Sequence, residues 1–313
     1  MPQTPVLPAS LDLLDRTELC VAGGGLAGVA AALASSAAGV ETVLVEERGA
    51  LGWEISHGLE LYVATAPRPD GPSTFKDLLN ELARHGAFRE GMLDPVATEC
   101  ILDRLLLAAG VRLHFRAFAG SWQAETGIVR VTTKSGPLGI EARVVVDATE
   151  SARLARGAGA TFTPHSQIQD QIHDRAFLLC AVTPPQAPEK VDLEGLSTAL
   201  LRPTLWPQVA HVQISYPRTA RQAAESESRF LIARAIQELR RTRPGFEQAS
   251  LALSAHEAFA AVTPKLDVAH LPERLFVAGP AVLGRRPTLE ERAALGEQAV
   301  KTAREELHGI ATH

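Results

Sequence analysis

The chain is poor in the residues that build disulfide frameworks and metal centres. Its 313 residues include three cysteines, Cys20, Cys100 and Cys180, which lie far apart and form no C-x-x-C pair. This spacing excludes a disulfide framework and a redox dithiol, and it predicts reduced core cysteines of a cytoplasmic protein. The ten histidines include no H-x-x-x-H or H-x-H pair, so no metal site is predicted.

An excess of charge is also lacking. The formal net charge is -5, with 21% charged and 46% hydrophobic residues. This mild acidity argues against nucleic acid or an anionic membrane as a partner, because both attract strongly basic surfaces. The composition is that of an ordinary globular protein, with a length that suits one large domain or two smaller ones.

One stretch without charge is long enough to cross a membrane. Leu19–Val40 contains no Asp, Glu, Lys or Arg, but it consists mostly of Gly, Ala and Ser, and its glycines would interrupt a helix. The residues before it, with Asp12, Asp15 and Glu18 against Arg16, have the wrong charge for a signal peptide. We therefore expect neither a membrane span nor a secretion signal.

The same stretch carries a glycine motif between two predicted strands. Leu19–Ala22 is a short apolar strand, and Gly23, Gly25 and Gly28 follow it as G-x-G-x-x-G. Glu46 ends the second strand, 18 residues after the last glycine. Such glycines permit a tight turn, close approach of backbone N–H groups to a pyrophosphate, and close helix packing. The pattern predicts a dinucleotide site with Glu46 on the adenosine ribose; the alternative is a tight turn without a ligand.

The predicted elements divide the chain into an outer and an inner part. The outer part, 1–160 and 266–313, contains the glycine motif, several strands, and a closing strand and helix. The inner part, 161–265, has two predicted strands and one long helix, Ala223–Arg241. We expect the inner part to be a small substrate or cap domain inserted into a nucleotide-binding domain.

Several local predictions accompany this division. Asp94 followed by proline predicts a helix start, with the aspartate as N-cap. Val111–Phe118 alternates apolar and polar residues and is predicted as one strand. Residues 1–16 are expected to form a loose leader, residues 66–73 a loop, and the proline-rich 183–195 an exposed segment between strands.

The order of these parts resembles the FAD-dependent oxidoreductases of the glutathione-reductase-like fold. The fingerprint of that family is similar to Val21–Gly28, and its later parts are similar to the helix Leu93–Gly110, the strand Val111–Phe118 and the D-A-T segment Asp147–Thr149. A final strand like Leu275–Gly279 leads to the flavin in that family. The resemblance implies an α/β fold with a parallel sheet plus β-meander, a small inserted α+β cap or substrate domain, and FAD as cofactor.

The motif and the resemblance together assign a set of residues to the cofactor. Arg48 is expected to reach a phosphate or, as the alternative, to pair with Glu46 or Glu47. The predicted cofactor-binding residues are Gly23, Gly24, Gly25, Leu26, Ala27, Gly28, Glu46, Glu47, Arg48, Gly52, Trp53, Phe118, Ala148, Thr149, Gly279 and Pro280.

Two positions depart from the family pattern. Glu150 and Ser151 stand where the family has a glycine after D-A-T, and Pro280 stands where it has Asp or Arg. Proline has no backbone N–H to donate. A phosphate contact is therefore expected from the start of the closing helix, near Thr288–Glu291. The affinity for FAD is expected to be lower than the family pattern implies.

The loop Leu51–His57 is expected to approach the flavin ring. Trp53 would cover a ring face or pack the loop, and His57 would be a general base or an ordinary surface residue. The predicted reaction moves a hydride or electron pair between a small organic substrate and flavin. Because no second GxGxxG follows a strand, no built-in NAD(P)H domain is expected, and oxygen, a quinone or a partner protein would reoxidise the flavin.

Two other functions stay open. The first is a flavin-fold subunit that binds FAD, another nucleotide or a partner protein without turnover, which Glu150 and Pro280 favour. The second is an NAD-dependent dehydrogenase, against which the meander and the terminal Ala-Gly strand argue. The inner part is short for the family, so the substrate cavity is expected to be small or to be completed by a partner protein or a second copy of the chain.

Overall fold

A computed structural model of the chain shows a mixed α/β protein with two main sheets and a short β-hairpin. Parts of the predicted leader at 1–16 and of the predicted loop at 66–73 lie outside the residues that it describes. The described residues are 11–63, 70–163, 172–194, 198–217 and 223–311.

The described strands and helices follow one another with short connections. The strands are β1 (Leu13–Ala22), β2 (Thr42–Glu46), β3 (Phe88–Arg89), β4 (Met92–Leu93), β5 (Arg112–Phe115), β6 (Phe118–Gln123), β7 (Ile128–Thr133), β8 (Gly136–Asp147), β9 (Ile172–Cys180), β10 (Glu189–Asp192), β11 (Thr198–Pro203), β12 (Val209–Pro217), β13 (Ser250–Ser254), β14 (Phe259–Ala260) and β15 (Leu275–Val277). The helices are α1 (Leu26–Ala37), α2 (Trp53–Ser56), α3 (Ser73–Arg84), α4 (Pro95–Ala108), α5 (Arg153–Gly157), α6 (Ala223–Thr242) and α7 (Leu289–Ala311).

The first sheet combines parallel strands with an antiparallel meander, in the order β5-β2-β1-β8-β7-β6. Strand β8 joins the two halves, because its first residues pair antiparallel with β7 and its last residues, Val145–Asp147, pair parallel with β15. All five residues of β2 are buried, as expected for a parallel strand covered on both faces. The parallel strands β5, β2, β1, β8 and β15 direct their carboxyl ends to one edge of the sheet.

The second sheet is antiparallel, in the order β10-β11-β12-β9-β13, with β14 also paired to β9. Apolar residues on one face of β9 and β12 form a core with α6, which includes Phe177, Val212 and Leu239. On the other face, Ala176 and Leu178 belong to the core of the first sheet. The two sheets are therefore held together by a shared apolar cluster.

Helices α1 and α7 cross at very short range on the first sheet. A Cβ on Gly296 of α7 would lie 2.0 Å from the carbonyl oxygen of Ala27 and 2.9 Å from the N atom of Ala31, both in α1. The crossing therefore requires a residue without a side chain at position 296. It fixes α7 next to the glycine turn at the start of α1.

Several local predictions are confirmed or corrected by the structure. Asp94 does cap α4, since its carboxylate accepts from the N–H groups of Val96 and Ala97 at 2.9 and 3.0 Å. The leader prediction is wrong for residues 13–16, because β1 starts at Leu13 and pairs along β8. The single strand predicted at Val111–Phe118 is also wrong: Arg116 has φ +56°, and this left-handed residue separates β5 from β6.

The inner part contains more strands than the two that were predicted. The proline-rich segment 183–195 includes β10, which pairs antiparallel with β11, and the buried Leu193. Strands β10 and β14 are short and lack the apolar alternation by which strands are detected in a sequence. Strands β11 and β13 were also missed, although they contain the short apolar runs Ala199–Leu201 and Leu251–Leu253. The long helix was predicted at the right place.

Gly296→Ala should destabilise the protein by about 1–3 kcal/mol, because the added methyl group forces α7 away from α1. The matched control is Gly309→Ala in the same helix, where an added Cβ has no neighbour within 4 Å. That control should be neutral or stabilising by up to about 1 kcal/mol, as for Gly→Ala in helices generally. Urea unfolding of both variants measures the difference; equal free energies of unfolding would contradict the close crossing.

Candidate active site

The turn between β1 and α1 brings the helix close against the ends of the strands. Gly23 has φ +104°, a left-handed conformation that glycine adopts without strain. A Cβ on Gly28 would lie 1.8 Å from the carbonyl oxygen of Gly23, so the helix packs on the turn only because residue 28 has no side chain. Leu26 begins α1, and its N–H group lies at the positive end of the helix dipole.

Glu46 at the end of β2 is buried and bound to the neighbouring backbone. One carboxylate oxygen accepts from the N–H of Gly24 at 2.5 Å, and the other accepts from the N–H of Arg48 at 2.7 Å. The Arg48 guanidinium also pairs with Glu46, Glu47 and Glu257, so the ion-pairing alternative for this arginine is the one present. Because a carboxylate offers about four acceptor positions, Glu46 retains capacity for a ribose hydroxyl.

A pocket opens where the carboxyl ends of β1, β2 and β8 meet, which is where open α/β sheets bind ligands. The predicted cofactor residues that line it are Gly23, Gly25, Glu46, Glu47, Arg48, Trp53, Ala148 and Thr149. The sequence had not assigned the other lining residues to the cofactor, and these are Val45, Ala117, Ala119, Glu150, Ser151 and Arg153.

Other predicted cofactor residues lie next to this pocket without lining it. Gly52 has φ +59° and donates its N–H to the Gly24 carbonyl at 2.8 Å, which packs the glycine turn on the next loop. Phe118 is 42% exposed and lies 3.9 Å from the Arg153 guanidinium. Successive residues of a strand point to opposite faces, so Ala119, and not Phe118, faces the pocket.

The remaining predicted residues pack the surroundings of the turn. The Ala27 carbonyl contacts α7, as described above. A Cβ on Gly279 would lie 2.5 Å from the carbonyl oxygen of Thr149, so the chain after β15 passes directly against the D-A-T segment. Pro280 follows as the buried first residue of a short 3-10 turn, Pro280–Val282.

The D-A-T segment is held in place by its own aspartate. The buried Asp147 carboxylate accepts from the N–H and the hydroxyl of Thr149 at 3.1 and 2.6 Å, and from the N–H of Ala155 at 3.0 Å. The Thr149 hydroxyl oxygen accepts in turn from the N–H of Arg153 at 2.8 Å, at the start of α5. Asp147 thereby presents Ala148 and Thr149 to the pocket without reaching it.

A buried acid that the sequence had not assigned faces the start of α1. Glu54 of α2 is 1% exposed, and both of its carboxylate oxygens lie 3.2 Å from the N atom of Leu26. The same carboxylate fills the space beside the second glycine of the motif, since a Cβ on Gly25 would lie 2.5 Å from Glu54 Oε1. Glu54 therefore accepts from the N–H group that the motif assigns to a pyrophosphate.

Arg292 of α7 connects Glu54 with the D-A-T side of the pocket. Its buried guanidinium lies 3.2 Å from Glu54 and 2.8 and 3.1 Å from the two oxygens of Glu150. Burial raises the pKa of Glu54 to about 7; Arg292 opposes this rise and Glu150 adds to it. One cation thus faces two carboxylates and is closer to Glu150, which leaves Glu54 as the acid that takes up a proton.

Trp53, one of the predicted cofactor-binding residues, lies between two cavities. Its ring stacks on Phe259 of β14 with centroids 5.2 Å apart, and the Arg48 guanidinium lies 4.7 Å from the ring centroid. Trp53 lines the pocket described above, whereas Phe259 lines a second cavity. The stacked pair therefore separates the two cavities.

His57 ends α2 and lies next to a second histidine. The rings of His57 and His256 have centroids 4.7 Å apart. The backbone N–H of His256 donates to the backbone carbonyl of His57 at 2.8 Å. Burial lowers the pKa of His57, and His256 and Arg48 lower it further. The imidazole is therefore neutral near pH 7 and able to accept a proton.

The second cavity lies between the segment 58–62 and the second sheet. Arg286 lies in its wall, 3.8 Å from the Phe259 ring, and pairs with Glu60 at 3.0 Å and with Asp174 at 3.1 Å. The cavity wall is therefore polar and charged, with an aromatic face on the side of Trp53.

Two further polar residues line the second cavity from β11 and β12. Arg202 donates to the side-chain oxygen of Gln213 at 3.1 Å. His211 is buried, with Nε2 3.0 Å from the carbonyl oxygen of Leu59. Burial lowers the pKa of His211 to about 4, and Arg202 lowers it further, so this histidine is neutral at physiological pH.

Within the described ranges, no group of three or more His, Cys, Asp or Glu side chains is placed to hold a metal ion. No helix of this part of the chain has the length and apolar character needed to cross a membrane. All three cysteines are free, but Cys100 is exposed, so its prediction as a core residue is wrong.

The fold of the chain is similar to the folds of several solved structures. The chain is similar to a geranylgeranyl bacteriochlorophyll reductase-like protein from Thermoplasma acidophilum, with 16% identity, TM-score 0.65, and coverage of 94% of this chain and 79% of the other. A flavin-dependent brominase has 12% identity, TM-score 0.67, and coverage of 94% and 80%. The p-nitrophenol 4-monooxygenase of Pseudomonas putida has 14% identity, TM-score 0.62, and coverage of 94% and 79%.

The family follows from a comparison of the sequence with protein families. Residues 18–194, more than half of the chain, match the family described as FAD dependent oxidoreductase. The chain therefore belongs to the FAD-dependent oxidoreductases, and its cofactor is FAD. A comparison with the curated proteins found no significant match.

The pocket residues fit one half of FAD better than the other. The glycine turn, the buried Glu46 carboxylate and the small side chains of Ala117, Ala119 and Ala148 leave space for an adenosine beside β2 and β6. At the pyrophosphate position, however, the donor at the start of α1 is already bound by Glu54. A side chain of the protein therefore takes the backbone donor that the glycine motif assigns to the pyrophosphate.

Sequence reasoning missed Glu54 and Arg292 as site residues. Glu54 lies in the segment that was expected to approach the flavin, but only Trp53 and His57 were selected from it. The unusual Glu150 was noticed, and the structure explains it as the second partner of Arg292. The available signal was an acid between two apolar residues, Trp53 and Ile55, shortly after the glycine motif, but its partner on α7 is distant in the sequence.

Replacement of Glu54 by Gln should change how stability depends on pH. The pKa of the Glu54 carboxyl is about 7 in the folded chain and about 4.5 when exposed. The folded state thus binds an extra proton between these values, and wild-type stability falls as pH rises from 4.5 to 7. The free energy of unfolding of Glu54→Gln minus that of wild type should therefore be larger at pH 8 than at pH 5, by on the order of 2 kcal/mol. Denaturant unfolding at both pH values measures this gain; a constant difference would contradict the assignment.

Proposed function

We propose that the protein oxidises or reduces a small organic substrate by hydride or electron-pair transfer with FAD, without an NAD(P)H domain of its own. The observation that carries this proposal is the pair of cavities on either side of the stacked Trp53 and Phe259 rings. One cavity has the features of an adenosine site, and the other has polar groups that suit an organic substrate. The flavin ring would lie near their boundary.

Different parts of the chain would bind FAD and the substrate. Residues 1–160 and 266–313 form the FAD-binding part, with the glutathione-reductase-like arrangement of parallel sheet and meander. Residues 161–265 form the substrate part and contribute half of the residues that line the second cavity, among them Asp174, Arg202 and His211. Phe259 of this part reaches the cofactor side through its contact with Trp53.

Bound FAD would supply the acceptor for the hydride, and the residues of this chain bind, orient and move protons. Glu46 holds the ribose hydroxyls, and Trp53 covers one side of the ring site. Arg286 and Arg202 orient the substrate through its oxygen atoms, as their N–H groups donate strongly to oxygen acceptors. His57 lines neither cavity, so it would accept through an intervening water the proton that a substrate hydroxyl loses when the adjacent C–H bond gives up its hydride.

A second function is favoured by one specific observation. A carboxylate bound at the pyrophosphate position is also what a flavin-fold subunit without turnover would have, since such a subunit does not need to hold FAD. The two functions differ in what purified protein does with added FAD. Retention of yellow flavin that is bleached anaerobically by reductant and restored by oxygen or a quinone supports the enzyme; no uptake of FAD at any concentration supports the subunit.

Glu46→Ala should weaken FAD binding by about 1–3 kcal/mol, the range for a lost charged hydrogen bond to the ribose. Glu41→Ala is a matched control, because Glu41 precedes β2 at its other end and pairs with Arg112 on the surface. Quenching of flavin fluorescence measures both affinities. If both variants keep wild-type affinity, Glu46 does not bind the ribose.

A further inference from the structure

The start of α1 has the contacts of an anion site, and a residue of the chain itself fills it. α1 is 12 residues long, and the N–H of Leu26 at its first position donates to the Glu54 carboxylate. The same carboxylate meets the cationic Arg292. A backbone donor, a helix dipole and a guanidinium are the groups that bind phosphate at helix N-termini.

Arg292 supplies an independent sign that the site is built for a larger anion. Its side chain is buried, and within the described residues its Nε atom has no hydrogen-bond partner. Buried guanidinium N–H groups are normally bonded, because an unbonded one costs about 1–3 kcal/mol. Glu54 and Glu150 leave this donor unused, although both carboxyl groups lie against the same guanidinium.

We propose that the Glu54 carboxylate occupies the pyrophosphate position in the FAD-free protein, and that FAD binds by displacing it and pairing with Arg292. This inference rests on the proposed function, because it concerns how the same site takes up its cofactor. Glu54 lies in α2, a helix of four residues preceded by the left-handed Gly52. Displacement of this short helix also moves Trp53, which follows Gly52 and forms the boundary between the cavities.

The displacement links FAD binding to proton release. The charged groups that face Glu54 are Arg292 from α7 and Glu150 from the segment after β8; Glu46 and Arg48 lie beyond the glycine turn and Trp53. Burial among these groups raises the pKa of Glu54 to about 7, whereas a displaced, exposed carboxyl has its ordinary pKa near 4.5. FAD-bound protein therefore holds fewer protons between pH 4.5 and 7, and the affinity for FAD increases with pH over this window.

Two substitutions at Glu54 separate the predicted effects. Glu54→Ala removes the competing group, so FAD should bind at least tenfold more tightly than to wild type at pH 5.5. Glu54→Gln keeps a neutral group whose carbonyl can still accept from the N–H of Leu26. Its affinity should be about tenfold lower than that of wild type at pH 5.5, because a displaced glutamate ionises one pH unit above its ordinary pKa near 4.5 and a glutamine cannot. This affinity should not increase as the pH rises to 8.

Glu297→Ala is the matched control for these variants. Glu297 belongs to α7, and its carboxylate lies at the start of another helix, α3. There it accepts from the N–H and the hydroxyl of Thr74 at 2.8 and 2.7 Å. It does not line the cofactor pocket. Its removal should cost stability, as loss of a helix cap does, and should leave both the affinity for FAD and its pH dependence unchanged.

FAD titrations followed by flavin fluorescence at pH 5.5, 7 and 8 test the proposal on all four proteins. Tighter binding by Glu54→Ala, with a flat profile for Glu54→Gln and a rising one for wild type, supports it. Equal or weaker binding by Glu54→Ala, or an unchanged slope in Glu54→Gln, overturns it while the FAD-dependent function stands. If none of the proteins binds FAD, both the displacement and the proposed function fail.

Discussion

The candidate site depends on the buried ion cluster in which Arg292 faces two carboxylates. Its members come from three separate elements: Glu54 from α2, Glu150 from the segment after β8, and Arg292 from α7. Removing Arg292 would leave the buried Glu54 without its cation, and such a loss typically costs about 3–5 kcal/mol. The cluster therefore fixes the glycine turn, the D-A-T segment and the last helix relative to one another.

The position of Arg292 depends on the close crossing of the helices that carry the site. Gly296 lies one turn after Arg292, and its lack of a side chain lets α7 approach the first turn of α1. Gly28 does the same for α1 and the end of β1. These close contacts bring the Arg292 guanidinium and the N–H of Leu26 to the same Glu54 carboxyl group.

Much of the fold could be predicted from the sequence because its signals are local. The glycine turn, Glu46 at a strand end, the Asp94 cap and the parallel strands each follow from residues close together in the chain. The ion cluster could not be predicted in this way, since Glu54 and Arg292 are more than two hundred residues apart. The number of strands in the second sheet was underestimated for a related reason: β10 and β14 have no strand pattern of their own and are strands through their pairing with β11 and β9.

The central claim is that FAD must displace a protonated carboxyl from its phosphate position. Isothermal titration calorimetry of FAD binding at pH 6, in buffers with different ionisation enthalpies, counts the protons exchanged. Displacement of Glu54 into water predicts the release of close to one proton for each FAD bound, because the pKa of this group falls from about 7 to its ordinary value. Binding without proton release at pH 6 would contradict the account.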